Sequence, residues 1–170
     1  MSRSHVSESS VLRVADVDFD QLTCLLKKFR LRLVLVGDGQ PITASYWGEP
    51  EAGIAGTSVY VRRDTPLHSL LHEACHVICM TPARRKRLMK DAGGDELEEA
   101  AVCYLQIRLA DLIEGAGRDR LMRDMDRWGY SFRLGSTRAW FEQDADDARQ
   151  FLVNQRLLSR NDEPVFALRS

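Results

Sequence analysis

The chain has no apolar run approaching 18 residues, so no segment reads as a membrane-spanning helix. It also lacks the basic and then apolar start of a secretory signal, because residues 1–10 are polar and serine-rich. Cysteine is scarce: Cys24, Cys75, Cys79 and Cys103 are the four present, and no two form a CxxC pair. Each falls in an apolar helical pattern, which predicts reduced, buried thiols. Excess charge is absent too, since 24 Lys and Arg against 25 Asp and Glu leave a net charge of −1. That balance argues against bulk attraction to nucleic acid. No internal repeat or low-complexity linker divides the sequence. Its 170 residues suit one domain over 1–170, with residues 1–12 and 161–170 expected as flexible ends. A cytoplasmic protein is the expectation.

The hydrophobic spacing predicts an α+β order. Asp16 or Asp18 can cap a helix carrying Leu22, Leu25, Leu26 and Phe29. The period then shortens to alternation in residues 31–36, Gly37-Asp38-Gly39 reads as a turn, and residues 42–47 read as the returning strand. A third strand is predicted over 54–61, and these three would form a small antiparallel sheet. Further helices are expected over 95–112, 118–128 and 137–158, with a short one over 82–90. In that short helix Arg84, Arg85, Lys86 and Arg87 read as a solvated face, or alternatively as a patch for phosphate or an acidic partner.

The five residues His72-Glu73-Ala74-Cys75-His76 spell HExxH inside a segment with helical signals. Asp64 or Thr65 can cap it, Pro66 suits its first turn, and Pro82 requires it to stop near Met80. Positions i and i+4 lie on one helix face, so two neutral imidazoles there can bind one Zn²⁺ at about 2.0–2.1 Å. The glutamate between them reaches a water on that ion rather than the ion itself. His72 and His76 are thus candidate ligands, and Glu73 is the candidate catalytic base. Cys79 follows His76 at +3 and is a further possible ligand, while His68 belongs behind the site or at its rim because three imidazoles along a straight helix do not converge on one ion.

A third protein ligand has to come from elsewhere, and the acidic cluster Asp95-Glu96-Leu97-Glu98-Glu99 is the natural source. Glu98 leads the apolar face Ala101, Val102, Leu105, Leu109 and Leu112, which makes it the first candidate. Its structural alternative is a capping-box acid at N3 behind Asp95. Glu99 is the second candidate and shares a less apolar face with Val102, Cys103, Gln106 and Ala110.

An HExxH helix preceded by a small sheet and followed by a glutamate-bearing helix resembles the gluzincin metallopeptidases, in particular minimal ones of the ImmA/IrrE type. Glu98 has Ala101 at +3 as in that pattern, but Val102 stands where a small polar residue is usual. Locally, Leu71-His72-Glu73-Ala74-Cys75-His76 followed by Ala83-Arg84-Arg85 resembles the elongation factor P hydroxylase family. The first resemblance implies a zincin-like fold and a zinc-dependent hydrolase acting on a peptide or protein. In that reading residues 57–61 pair with an extended substrate, and Tyr104, Tyr130 or His68 stabilises the transition state. The second implies a non-haem iron hydroxylase with the same ligands. A non-catalytic, metal-stabilised interaction domain is a third reading.

Overall fold

The structure is a computed structural model that describes residues 11–170. Among these, seven α-helices and one three-stranded sheet make an α+β fold. Helix α1 (Phe19–Lys28) begins where Asp18 accepts a hydrogen bond from the Asp20 amide, and it buries Leu22, Leu25 and Leu26. Strands β1 (Arg32–Leu35), β2 (Gly53–Ala55) and β3 (Ser58–Val61) follow. The sheet order is β1-β3-β2. β2 and β3 form an antiparallel hairpin across the turn Gly56-Thr57, whereas β1 runs parallel to β3 with Arg32 opposite Ser58 and Leu35 opposite Val61.

The sheet is therefore mixed, not antiparallel as expected, and residues 42–47 are not a strand. Their polar groups are satisfied within their own loop: the Ile42 amide donates to Glu49, and the Ser45 hydroxyl donates to the Glu51 carbonyl. Ala44 has a positive φ of 58°, which no strand accommodates. This loop presses so closely on β2 that a Cβ on Gly53 would lie 1.9 Å from the Thr43 carbonyl oxygen, so only glycine fits there.

Helix α2 (Leu67–Cys79) is buried along its whole length. Neither Asp64 nor Thr65 caps it. Asp64 pairs with Arg62, and the Thr65 hydroxyl accepts from the Arg62 amide. The leading amide of α2 instead donates to the Leu12 carbonyl, 2.8 Å away. At the other end Arg85, on helix α3 (Pro82–Lys86), donates to the Val77 and Met80 carbonyls at 3.0 and 2.8 Å. Two of the four basic residues expected on a solvated face are thus structural. Arg85 is buried against the end of α2, and Arg84 is paired with Glu98.

Helices α4 (Glu96–Ala110) and α5 (Arg118–Trp128) match their expected positions. The single helix expected over 137–158 is two, α6 (Thr137–Gln143) and α7 (Asp146–Asn154). They break where Asp144 leaves helical geometry, with φ −137°, and pairs with Arg133. α4 packs against α2, α5 and α7, so the helix carrying the acidic cluster forms the centre of the helical layer. Among the described residues no helix is long and apolar enough to cross a membrane.

Both ends expected to be flexible make contacts with the rest of the fold where they are described. Residues 1–10 lie outside the described residues, but Val11 is buried and the Leu12 amide donates to Asp124. Residues 161–170 fold back on the body. Phe166 meets Phe29 edge to face, and the Arg169 amide donates to the Ile78 carbonyl at 2.9 Å.

Candidate metal centre

Three side chains from α2 and α4 converge. His72 Nε2 and His76 Nε2 are 3.1 Å apart, as their i, i+4 spacing requires. Glu99 reaches across from the first turn of α4, with Oε1 3.0 Å from His72 Nε2 and Oε2 3.1 Å from His76 Nε2. The two helices run antiparallel here, so Cys103 and Gln106 further along α4 lie beside His72 and His68.

Glu98 does not join this group. Its carboxylate is buried in a clamp, accepting from Arg84 Nη1 and Nη2 at 2.8 and 2.9 Å and from Arg169 Nη1 at 3.3 Å. The expectation that Glu98 would point inward is met, but inward at that position means toward α3 and the C-terminal segment. The α2 histidines face the next stripe of α4, about 100° around the helix, which belongs to Glu99. Asp95 does cap α4, accepting from the Glu98 amide at 2.9 Å, yet the Glu98 side chain turns to Arg84 instead of folding back as a capping box. Gly94 permits the clamp: a Cβ there would lie 2.0 Å from Glu98 Oε2.

Gln106 is the residue that sequence reasoning missed. It is fully buried; its Oε1 lies 2.7 Å from His72 Nδ1, and its amide nitrogen donates to the His68 carbonyl at 3.1 Å. The second bond fixes the amide orientation, so Oε1 accepts from His72 Nδ1–H. Neutral His72 therefore presents an unprotonated Nε2 toward His76 and Glu99. The signal was available in the sequence as a glutamine seven residues after Glu99 on a largely apolar helix.

This geometry asks for a cation. Lone pairs and a carboxylate separated by 3.0–3.1 Å repel one another unless positive charge lies among them. A proton on one imidazole answers some of these contacts; a metal ion answers all of them. Ligand atoms about 2.0–2.1 Å from a tetrahedral zinc stand roughly 3.3 Å from one another, close to the separations here. Two imidazoles and a carboxylate are also a donor set that zinc and iron accept. In the metal-free chain, burial opposes charge on His72, but Tyr130, Cys103 and Glu99 overcome it and hold the imidazole well above its ordinary pKa. Burial likewise opposes charge on Glu99, and the bonds to His72 and His76 outweigh it, holding the carboxyl far below the usual range. The site thus attracts positive charge.

The remaining candidates lie elsewhere. Cys79 is fully buried, its thiol pushed up by that burial, and it lies outside the His72, His76 and Glu99 group. Cys24 is exposed, against the expectation of four buried thiols, because it lies off the apolar stripe of α1. His68 sits one turn behind His72, with Nδ1 3.2 Å from Tyr130 Oη and its ring against Trp128. Tyr104 is directed away, donating to Asp162 at 2.7 Å. Glu73 is buried yet lines the same cleft as the three converging residues, a space of about 280 Å³ rimmed by Tyr46, Trp47 and Lys90. No family model matches the chain, and neither does a curated protein or a solved structure.

Residues 57–61 cannot take up a substrate strand as expected, because β3 is the central strand of the sheet. The outer edge of β2 is also occupied: Ser45 bridges Gly53, and the Lys90 amide donates to the Ile54 carbonyl at 2.9 Å. Residues 46–47 and 90–93 line the cleft at the three converging residues.

Proposed function

We propose that this chain is a zinc-dependent, zincin-like hydrolase acting on a peptide or protein amide, with His72, His76 and Glu99 as the metal ligands. The observation that carries this reading is the convergence of His72, His76 and Glu99, each pair of side chains 3.0–3.1 Å apart at their nearest ligand atoms and one imidazole in a tautomer fixed by Gln106, beside a glutamate at HExxH spacing. A bound divalent ion supplies Lewis acidity, polarising a carbonyl and lowering the pKa of a water. The residues of the chain do the rest. Glu73, on the wall of the same cleft, accepts a proton from the attacking water and returns it to the leaving amine. Gln106 holds the His72 ring so that Nε2 stays directed at the cleft. Burial of His72, Glu73 and His76 keeps bulk water from screening these charges.

The two-histidine, one-carboxylate set also serves Fe(II) and oxygen, which supports hydroxylation as a second reading. One experiment separates them. The metal-free protein is reloaded with zinc or Fe(II) and assayed against a quenched-fluorescence peptide library, beside Glu73→Gln. The hydrolase reading expects zinc-supported cleavage that falls at least about 100-fold in Glu73→Gln while metal content is unchanged. Turnover that needs Fe(II) and oxygen, or a fully active Glu73→Gln variant, would overturn it.

A further inference from the structure

Helix α7 ends in a Schellman turn, with the Leu157 amide donating to the Leu152 carbonyl at 2.8 Å and the Arg156 amide to the Val153 carbonyl at 3.1 Å. Arg156 takes its left-handed position, with φ 59°. Glycine or asparagine usually stands there, because a Cβ makes that conformation costly. The chain accepts the cost at a residue whose side chain lines an open cleft of about 750 Å³ together with Arg149 and Arg160. Among the described residues no carboxylate lines it. The side chains of Arg156 and Arg160 have no hydrogen-bond or ion-pair partner among the described residues. Arg149 is only partly engaged: Nε donates to Asp162 at 3.2 Å and Nη2 to the Arg160 carbonyl at 2.7 Å, which leaves Nη1 without a protein acceptor. Asp162 does not neutralise the group, since it also accepts from Tyr104 and lies 3.5 Å from Arg108. Glu163, the next acid along the chain, is exposed and is not part of the lining. A chain of net charge −1 thus gathers uncompensated positive charge in one concave place.

We propose that this cleft binds an acidic peptide segment of a partner protein, with its carboxylates on Arg149, Arg156 and Arg160 and an apolar side chain on Val153 and Val165. Charge complementarity sets the sign of the occupant, and guanidinium forks take carboxylates through paired hydrogen bonds. The two valines decide its class. Val153 is partly exposed and Val165 exposed, a surface that a phosphate group has no use for. No aromatic ring lines the cleft on which a nucleic-acid base could stack. The inference does not depend on the metal reading, because the two clefts share no lining residue.

Fluorescence anisotropy of a labelled Glu-Val-Glu-Val-Glu peptide, capped at both ends, reads the binding on the full chain. The peptide should bind at least about tenfold tighter than its Gln-Val-Gln-Val-Gln counterpart at low salt, and should weaken as salt is raised. Arg156→Gly removes a guanidinium and relieves the left-handed backbone, so the variant should melt no lower than wild type and bind at least about threefold more weakly. Arg160→Gln, at an exposed side chain, should show the same loss. Equal affinity for the two peptides, or wild-type affinity in either variant, would overturn the cleft as an acidic-peptide site. Pyrophosphate that displaces the peptide at concentrations below the peptide's own Kd would overturn the peptide as the occupant.

Discussion

Replacing Gln106 with leucine removes the two hydrogen bonds that fix His72 while nearly preserving side-chain volume. Gln106 is fully buried, so no solvent replaces its bonds to His72 Nδ1 and to the His68 carbonyl. Two buried polar groups are left without their partner, at about 1–3 kcal/mol each, so unfolding should be easier by about 2–6 kcal/mol. The metal effect is separable from that loss. An orienting partner behind a histidine ligand is typically worth about 10–100-fold in affinity, or roughly 1.4–2.7 kcal/mol. Gln106→Glu divides the two effects, because a carboxylate still accepts from His72 Nδ1–H but cannot donate to His68. It should lose stability and keep zinc affinity within a few-fold of wild type. Competition with a chromophoric chelator reads the affinity, and thermal unfolding without metal reads the stability. A Gln106→Leu protein that melts earlier yet binds zinc as tightly as wild type would refute the orienting role.

The two adjacent glutamates should behave oppositely in the same pair of assays. Glu99→Gln should weaken zinc binding by an order of magnitude or more, because its carboxylate is the one at both histidines. Glu98→Gln should leave affinity close to wild type and cost about 1–3 kcal/mol of stability, since it weakens the clamp with Arg84 and Arg169; the reverse pattern would return the third ligand to Glu98. Thiol titration of the native protein should label Cys24 quickly and the buried Cys75, Cys79 and Cys103 only on unfolding. Rapid labelling of more than one thiol would contradict the burial of those three.

The contrast between the two glutamates marks the limit of what the sequence makes legible. The i, i+4 histidines sit on a helix whose start and stop Pro66 and Pro82 announce, so α2 and its two ligands can be read from local rules. Asp18 and Asp95 likewise announce α1 and α4 through their caps. The choice between Glu98 and Glu99 is not local. Residues 101–107 of α4 are all buried, so no single apolar face says which stripe meets α2 and which meets α3. The informative signal was instead polar: Glu99, Cys103 and Gln106 recur at helical spacing in an otherwise apolar helix. Long-range partners left no such trace. Nothing near Arg85 or Arg169 indicates that one covers the end of α2 and the other joins the Glu98 clamp. Strand pairing failed for a related reason. Alternation identifies 31–36 as extended, but its partner was set by which edge β3 offers, and that partner lies 26 residues further along, counted from Leu35 to Val61, rather than across the Gly37–Gly39 turn.

The central claim is that His72, His76 and Glu99 together hold one metal ion. Element analysis by inductively coupled plasma mass spectrometry, on protein purified without added metal and on the His72→Ala/His76→Ala double variant, tests it most directly. The account predicts close to one equivalent of zinc per chain in the wild type and almost none in the double variant, which should remain folded by circular dichroism. Wild-type protein that neither carries nor takes up a transition metal, or a folded double variant that retains it in the same amount, would contradict the account.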